Sequence, residues 1–309
     1  MPLNLFDIPL IDRPDFEQLF DAGRFGCWAL QARNLHDDGF CILDLEHPYI
    51  DDLTVDLIEV LYPIILPQIE AWQGCRQGVP RLQDGWQQYS QILAISQQAL
   101  ILDCLGSLYG RAPFAFQTLN FAVGSEQHFH SDAIHFHSYP HGFMCGVWIA
   151  LEDVSIDSGP LVYYPRSHRL PYLNAASFDL SPELVAKEEH PQRFFEESWR
   201  EAIKSHGFSP HRFLPKRGQV LIWHANLLHG GEQVVNREAT RWSQVTHYFF
   251  ADCLYTTPLM SFSYELGGPT LRNPFDIARD CRRYSDKVWD EIGLANRPMA
   301  KKSFRFTSK

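Results

Sequence analysis

Long apolar runs and a secretory leader are both missing from this chain of 309 residues. A helix that crosses a bilayer needs ~18 or more uninterrupted apolar residues. The most apolar segment, Phe143 to Leu151, is far shorter than that. The N-terminus, Met1 to Pro9, has neither the basic start nor the continuous apolar stretch of a signal peptide. We therefore expect a soluble protein with no membrane partner.

Positive charge is also scarce. Lysine and arginine number 27 against 37 aspartates and glutamates, which gives a net charge of −10 and a pI near 5.7. Proteins that bind nucleic acid draw their affinity from clustered basic residues that face the phosphates. The basic pairs Arg282-Arg283 and Lys301-Lys302 are too short to form such a cluster. The composition argues against a nucleic-acid partner, and it favours a small-molecule substrate over one with several phosphate groups.

The seven cysteines show no sign of pairing, because their number is odd and no C-x-x-C occurs. We therefore expect no disulfide framework, and we expect a reducing, cytoplasmic location.

Hydrophobic residues make up 45% of the chain, enough for a large core. No internal repeat, low-complexity segment or linker divides the sequence. We predict a single domain over residues 1–309.

The N-terminal third has a helical pattern. Helix-like apolar spacing occurs in three segments, 15–34, 51–71 and 87–109. Pro63 and Pro67 should break or kink the second of these helices. Residues 40–45 have the pattern of a strand. We expect the helices to brace a sheet.

After Pro113 the pattern changes to short runs with a period of two, bounded by Gly, Pro and Asp. The runs are 115–122, 127–132, 146–151, 159–164, 218–224 and 241–250. Short strands separated by turns in this way are typical of a β-sandwich or jelly roll. The core strands should therefore span about 113–250.

Two further segments lie outside that strand pattern. Residues 172–215 are more polar, and helix-like spacing at 183–189 and 192–204 predicts a helical insertion. An insertion of that length is more often a functional lid than an idle excursion. The tail, about 273–293, has apolar spacing that predicts a packing or dimerisation helix.

A metal site is indicated by His130-Ser131-Asp132 together with the distant His229. In an extended chain, side chains at i and i+2 point to the same side, so His130 and Asp132 can bind one ion while Ser131 points away. Two imidazoles and one carboxylate with vacant positions suit Fe(II) in an oxygenase better than a closed zinc site. On the residues alone several rivals stay open, because His128, His135, His137, His141 and His224 are all close in sequence to these ligands. His128 is the main rival, since it would share the face of His130 and Asp132.

A dicarboxylate clamp is indicated by Arg241 and Ser243, which would share one face of a strand. A guanidinium fork and a hydroxyl that point the same way can bind the carboxylate end of a small dicarboxylate. The candidate dicarboxylate is 2-oxoglutarate, whose keto-acid end would bind the iron. A structural salt bridge of Arg241 is the plainer alternative, and Arg237 is the other basic residue close enough in sequence to take this role.

The stretch 117–250 resembles the phytanoyl-CoA dioxygenase-like (PhyH-like) family of Fe(II)/2-oxoglutarate oxygenases. Four motifs carry the resemblance, in the family's order: His130-x-Asp132, the hairpin 159–168, the distal-histidine segment 218–230, and Arg241-x-Ser243. Arg166 departs from the family by replacing the usual glycine of the hairpin. Gly231 stands where many members have a serine that touches the cosubstrate.

The resemblance implies a double-stranded β-helix, a jelly roll of cupin-like shape, with flanking N-terminal helices. It implies that Fe(II) is bound by His130, Asp132 and His229, in preference to His128 and His224. It further implies that 2-oxoglutarate is held by Arg241 and Ser243, with Trp148 beside it. His135 and Arg166 are the candidates for substrate contact.

The activity that the resemblance implies uses O2 and 2-oxoglutarate, releases succinate and CO2, and hydroxylates an unactivated C–H bond of a small metabolite. A carboxylate at Asp132 favours hydroxylation over halogenation, because related halogenases have a small residue there. Two alternatives are a metal-dependent isomerase or hydrolase that needs no O2, and a non-catalytic barrel that binds a metal or small molecule. Neither alternative requires a dicarboxylate clamp. The sequence does not predict the oligomeric state.

Overall fold

A computed structural model describes residues 7–45, 48–75, 79–285 and 288–289. Within these ranges the α-helices are α1 (Phe16–Asp21), α2 (Ala29–Asp38), α3 (Pro48–Cys75), α4 (Ser90–Ser96), α5 (Ala99–Tyr109), α6 (Pro182–Lys187) and α7 (Arg193–His206). The strands are β1 (Phe40–Asp44), β2 (Arg81–Gln83), β3 (Pro113–Phe121), β4 (His137–Tyr139), β5 (Met144–Ala150), β6 (Leu161–Tyr163), β7 (His211–Phe213), β8 (Gln219–His224), β9 (His229–Gly231), β10 (Ser243–Phe250), β11 (Leu254–Thr256), β12 (Leu271–Arg272), β13 (Phe275–Asp276) and β14 (Cys281–Arg282).

Two antiparallel sheets form the barrel. The larger has the strand order β1-β8-β5-β10-β3-β2, and the smaller has the order β7-β6-β9. An apolar cluster joins them, with Trp148, Leu221 and Val245 from the large sheet packed among Leu161 and Phe213 from the small one. The predicted β architecture is confirmed, and the core also includes β1 and β2, which lie before residue 113.

The other face of the large sheet packs against the N-terminal helices. Alternate residues of β5 and β8 point into this layer, among them Val147, Ile149 and Ile222. The strands at the centre of the sheet are therefore buried on both faces. Along each of these strands the side chains point alternately into the barrel interior and towards the helices.

Helix α3 continues through both of its prolines, so the predicted break does not occur. Pro63 and Pro67 lie on the exposed face, while Leu57, Leu61 and Ile65 on the opposite face are fully buried. A proline inside a helix costs ~3 kcal/mol through its missing N–H and its ring. Burial of that row of side chains at a spacing of four residues offsets the cost, at roughly 1.5–3 kcal/mol for each.

The other two predicted helices are each divided. Residues 15–34 form α1, a 3-10 turn and the start of α2, and residues 87–109 form α4 and α5 with a break after Ser96. The stretch 90–109 has the length and composition of a membrane span. Its buried residues, including Ile95 and Leu105, pack in the core between helices and sheet, so it has the packing of an internal helix pair.

Three other predictions need correction or adjustment. Residues 127–132 do not form a strand, although His130 makes an isolated bridge with His229. The helices predicted in the insertion are present as α6 and α7, but residues 211–213 form β7 and belong to the small sheet. The tail helix predicted over 273–293 is wrong for 275–282, where β13 and β14 form a hairpin, and its residues 286–287 and 290–293 lie outside the described ranges.

Candidate active site

His130 and His229 face each other across a single antiparallel bridge. The His130 N–H donates to the His229 carbonyl at 2.8 Å, and the His229 N–H donates to the His130 carbonyl at 3.0 Å. Gly230 makes this close approach possible, because a Cβ there would lie 2.7 Å from the Gln127 carbonyl oxygen. Only glycine leaves room for two backbones at that spacing. This explains how residues about a hundred positions apart in the chain meet.

Three side chains meet at this bridge in an arrangement suited to a metal ion. The possible ligand atoms of His130, Asp132 and His229 all lie within 4.8 Å of one another, and the three residues are buried. His130 Nε2 lies 3.6 Å from Asp132 Oδ1, and His229 Nε2 lies 3.8 Å from Asp132 Oδ2. Ser131 points away and donates to the Ala225 carbonyl.

The backbone fixes which nitrogen each imidazole offers. His130 Nδ1 lies 2.9 Å from the His128 carbonyl, and His229 Nδ1 lies 3.0 Å from the Leu227 carbonyl. A carbonyl only accepts, so each Nδ1 carries the proton and each Nε2 is left with a free lone pair. Burial lowers the pKa of His229 to about 4, so its imidazole is neutral and able to bind a metal at neutral pH.

The Asp132 carboxylate is supported by two residues that the sequence did not reveal. Trp223 Nε1 donates to Oδ2 at 2.9 Å, and His247 Nε2 lies 3.3 Å from the same oxygen. Burial alone would raise the pKa of this carboxyl, but its electrostatic interactions with the surrounding imidazoles, His229 and His247 first and then His130, hold it well below its usual range. One feature of the sequence does indicate His247. It comes two residues after Val245 and four after Ser243, so all three side chains lie on the same face of β10.

Arg241, Ser243 and Trp148 lie together deeper in the barrel. Arg241 comes just before β10, and its N–H donates to the Ala122 carbonyl at 2.8 Å, so it extends the pairing with β3. Its Nη1 donates to the Gly159 carbonyl at 2.7 Å, and its guanidinium carbon lies 5.8 Å from the Trp148 ring centre. Arg241 Nε and Ser243 Oγ are buried and have no hydrogen-bond partner.

A cavity of about 670 Å³ connects the ligand cluster with Arg241 and Trp148, whereas Ser243 is not among its lining residues. His130, Asp132, His229, Trp148 and Arg241 all line it. Residues 190–192 and 196 of the insertion also line it. His135 also lines the cavity, where burial lowers its pKa to about 4 and its Nε2 lies 3.1 Å from Gln192 Oε1. The insertion therefore contributes side chains to the wall of the cavity that contains the metal ligands.

The structure does not bring Arg166 to the cavity. Arg166 is exposed at a turn with φ of 72°, the left-handed region that favours glycine, which explains the family's usual glycine there. At Gly231 a Cβ would lie 2.5 Å from Ser125 Oγ, so Ser125 fills the space that a serine would need.

Neither rival histidine joins the ligand cluster. His128 is exposed at the cavity rim. His224 points to the other face of β8, where its Nε2 lies 3.3 Å from Asp12 Oδ2. Arg237, the alternative to Arg241, is exposed.

Solved structures share this fold at low sequence identity. EctD from S. alaskensis with bound Fe matches with a TM-score of 0.56 and 19% identity over 82% of this chain and 83% of that one. The alpha-ketoglutarate-dependent epimerase SnoN from nogalamycin biosynthesis matches with a TM-score of 0.51 and 14% identity over 74% and 84%. AviO1 from Streptomyces viridochromogenes Tue57 matches with a TM-score of 0.50 and 15% identity over 72% and 95%.

Sequence comparison with family models gives one match. Residues 95–241, just under half of the chain, match the model for phytanoyl-CoA dioxygenase (PhyH). No curated protein sequence matches significantly. The matched stretch includes the H-x-D pair, the distal histidine and Arg241. The predicted jelly-roll fold of cupin-like shape is confirmed, and the match over residues 95–241 confirms the resemblance to the phytanoyl-CoA dioxygenase (PhyH) family that the motifs predicted.

Proposed function

We propose that this protein is an Fe(II)- and 2-oxoglutarate-dependent oxygenase that hydroxylates an unactivated C–H bond of a small-molecule metabolite, with release of succinate and CO2. The observation that carries the proposal is the convergence of His130, Asp132 and His229 in a cavity that is also lined by Arg241, whose buried Nε has no hydrogen-bond partner among the described residues. A metal site next to an anion site is the arrangement that a keto-acid cosubstrate requires.

The three side chains fit Fe(II). Two imidazole nitrogens and one carboxylate oxygen on one side of the ion leave three positions open, which suits a non-heme ferrous site. Bound there, Fe(II) would supply the activation of O2. The chain's own contribution is to present a neutral imidazole at His229 and an ionised carboxylate at Asp132 at neutral pH, as the lowered pKa values of these two groups indicate.

Arg241 and Ser243 fit the distal carboxylate of 2-oxoglutarate. Burial lowers the pKa of Arg241 to about 10, so the guanidinium is charged at neutral pH, and no ion pair with it is found in the described part of the chain. Nε and the Ser243 hydroxyl have no hydrogen-bond partner among the described residues. A buried cation and a buried hydroxyl without partners are costly unless a ligand satisfies them. This unmet hydrogen bonding argues against both the O2-independent enzyme and the non-catalytic barrel, since neither needs a carboxylate in this position.

Proteins that share the fold carry out several reactions. One structure of EctD contains 2-oxoglutarate and 5-hydroxyectoine, SnoN is described as an epimerase, and SnoK as a carbocyclase. Hydroxylation is our choice for this chain because Asp132 supplies a carboxylate at the third ligand position. A small residue there would instead leave room for a halide.

We also propose that the chain forms one domain in which the insertion, residues 172–210, acts as a lid over the substrate. The His135 to Gln192 contact joins this lid to the barrel mouth. Both residues line the cavity, as do Gln127 and Glu196, and His135 is the candidate for substrate contact. A cavity rim with these polar groups supports a small polar metabolite as the substrate.

The test is an anaerobic titration of the protein with Fe(II) and 2-oxoglutarate, monitored for the weak visible band of the keto acid bound to ferrous iron. We expect a band of one-to-one stoichiometry in the wild type and none in Asp132→Ala. A folded, iron-loaded protein without the band would contradict the proposal. A screen of candidate metabolites, scored by succinate release coupled to a gain of one oxygen atom in the product, then identifies the substrate.

A further inference from the structure

We propose that His247 is a positioning residue, which acts with Trp223 to hold one oxygen of Asp132 so that the other oxygen alone is left for the metal. The inference rests on the proposed function, because it concerns the same metal site. It adds two residues that no motif of the sequence identified.

Both donors act on the same atom. Trp223 Nε1 lies 2.9 Å and His247 Nε2 lies 3.3 Å from Asp132 Oδ2. Because a carboxylate only accepts hydrogen bonds, Trp223 Nε1 donates to Oδ2, and His247 Nε2 lies close enough to donate to the same oxygen when that nitrogen carries its proton. Two donors occupy the lone pairs of Oδ2, so Oδ1, which lies 3.6 Å from His130 Nε2, is the oxygen free to bind a metal.

The consequence is a carboxylate that binds through one oxygen. If Asp132 rotated and bound through both, it would fill one of the three positions that a keto acid and O2 require. An unsupported aspartate has no reason to avoid that geometry. The two hydrogen bonds would therefore preserve open positions and also orient Oδ1, which raises metal affinity.

His247 is itself held in place on three sides. In the register of β10 and β3 it lies opposite Gln117, and its Nδ1 is 2.9 Å from Gln117 Oε1. The rings of Phe136 and Phe116 lie 5.1 Å and 6.1 Å from its own. The pairing shifts directly after His247, and a bulge at this point is a common device for aiming a side chain at a site.

Trp223 depends on a neighbouring glycine for its position. Trp223 and Gly146 are partners in the pairing of β8 with β5. A Cβ on Gly146 would lie 2.2 Å from the Trp223 ring, so the indole lies directly over this glycine. The absence of a side chain at Gly146 lets the indole N–H reach the carboxylate.

The experiment measures metal binding, with Co(II) as a spectroscopic probe and with Fe(II) under anaerobic conditions. His247→Leu removes the donor, whereas His247→Gln keeps an N–H at a similar reach. We expect His247→Leu to weaken binding of both metals about 10- to 100-fold, the usual effect of losing a group that orients a ligand. His247→Gln should recover most of that loss. His137→Leu, at another buried histidine outside the ligand cluster, is the matched control and should bind metal as the wild type does.

Trp223→Phe provides a second, independent test, because it removes the indole N–H and keeps an aromatic ring. It should weaken Co(II) binding as well and alter the visible absorption of the bound ion. Wild-type affinity in both His247→Leu and Trp223→Phe would overturn the proposal, and so would an equal loss in His247→Leu and His247→Gln with normal thermal stability. If the wild type binds Co(II) but gives no band with Fe(II) and 2-oxoglutarate, the proposed function fails while the role of His247 can still be measured.

Discussion

Arg241→Met tests the proposed clamp for 2-oxoglutarate most directly, because methionine has a similar reach and no charge. In the wild type Nη1 is engaged with the Gly159 carbonyl, while Nε is buried and has no partner. The edge of the guanidinium that carries Nε can therefore bind a carboxylate through two parallel hydrogen bonds.

The expected magnitude follows from those two bonds. Each charge-assisted hydrogen bond is worth at least about 1.5 kcal/mol, so the variant should lose about 3 to 4 kcal/mol of cosubstrate binding. That loss raises the Kd for 2-oxoglutarate roughly 100- to 1,000-fold. The unliganded protein should lose no more than about 1 kcal/mol of stability, because the substitution removes a buried cation together with its bond to Gly159.

The assay is calorimetric titration of 2-oxoglutarate into the anaerobic Fe(II) protein, together with a thermal melt with and without the keto acid. Arg237→Met is the matched control, because Arg237 is exposed and near in sequence. It should bind 2-oxoglutarate normally. An unchanged Kd in Arg241→Met, or a raised one in Arg237→Met, would refute the assignment of the clamp to Arg241.

Three further results are expected. Asp132→Ala should lose product formation and stoichiometric iron while keeping the fold, as measured by succinate release, metal analysis and circular dichroism; full turnover would show that the carboxylate is misassigned. Arg166→Gly should raise the free energy of unfolding by up to about 1 kcal/mol, because glycine adopts the positive φ at this position without strain. Turnover should not change. A raised KM for substrate would instead support the predicted contact between Arg166 and the substrate. Burial lowers the pKa of His137 and His168 to about 3, so their folded forms stay neutral while the unfolded chain takes up protons below its pKa near 6.5. Stability should therefore fall as the pH is lowered from 7 to 5, by about 2 kcal/mol for each histidine, and His168→Gln should show a smaller fall in urea titrations at the two pH values; an equal fall would contradict the assignment to His168.

The features that the sequence predicted correctly are those that depend only on the spacing of residues close together in the chain. The H-x-D pair requires only an extended backbone at Ser131, which has φ of −110° and ψ of 128°. The helices of the insertion follow from apolar spacing, and α7 buries Phe195 and Trp199 at that spacing. The break expected at Pro63 and Pro67 failed because the chain position of a proline does not reveal which helix face will be buried.

The support of Asp132 could not be predicted, because it depends on strand register. Trp223 and His224 are adjacent on β8, yet one points to the metal ligands and the other to Asp12 on the outer face. A shift of one residue in the pairing with β5 would exchange them. The same parity decides β10, where Ser243, Val245 and His247 share the cavity side and Gln244 and Thr246 face the helices.

One strand face thus holds both the proposed clamp and the proposed support of the metal ligand. Ser243 and His247 both lie on β10, which pairs regularly with β3 from Ser243 to His247. The register shifts only after His247, where Phe116 of β3 is the extra residue, so the alternation along β10 places both side chains on one face. The two functions therefore share one strand but depend on different side chains. Gln117→Leu tests this, because among the described residues of β3 only Gln117 forms a hydrogen bond with the His247 side chain. The variant should weaken metal binding less than His247→Leu does. It should leave the Kd for 2-oxoglutarate of the fully iron-loaded protein unchanged. A large rise in that Kd would mean that the clamp and the metal support are not separable along this strand.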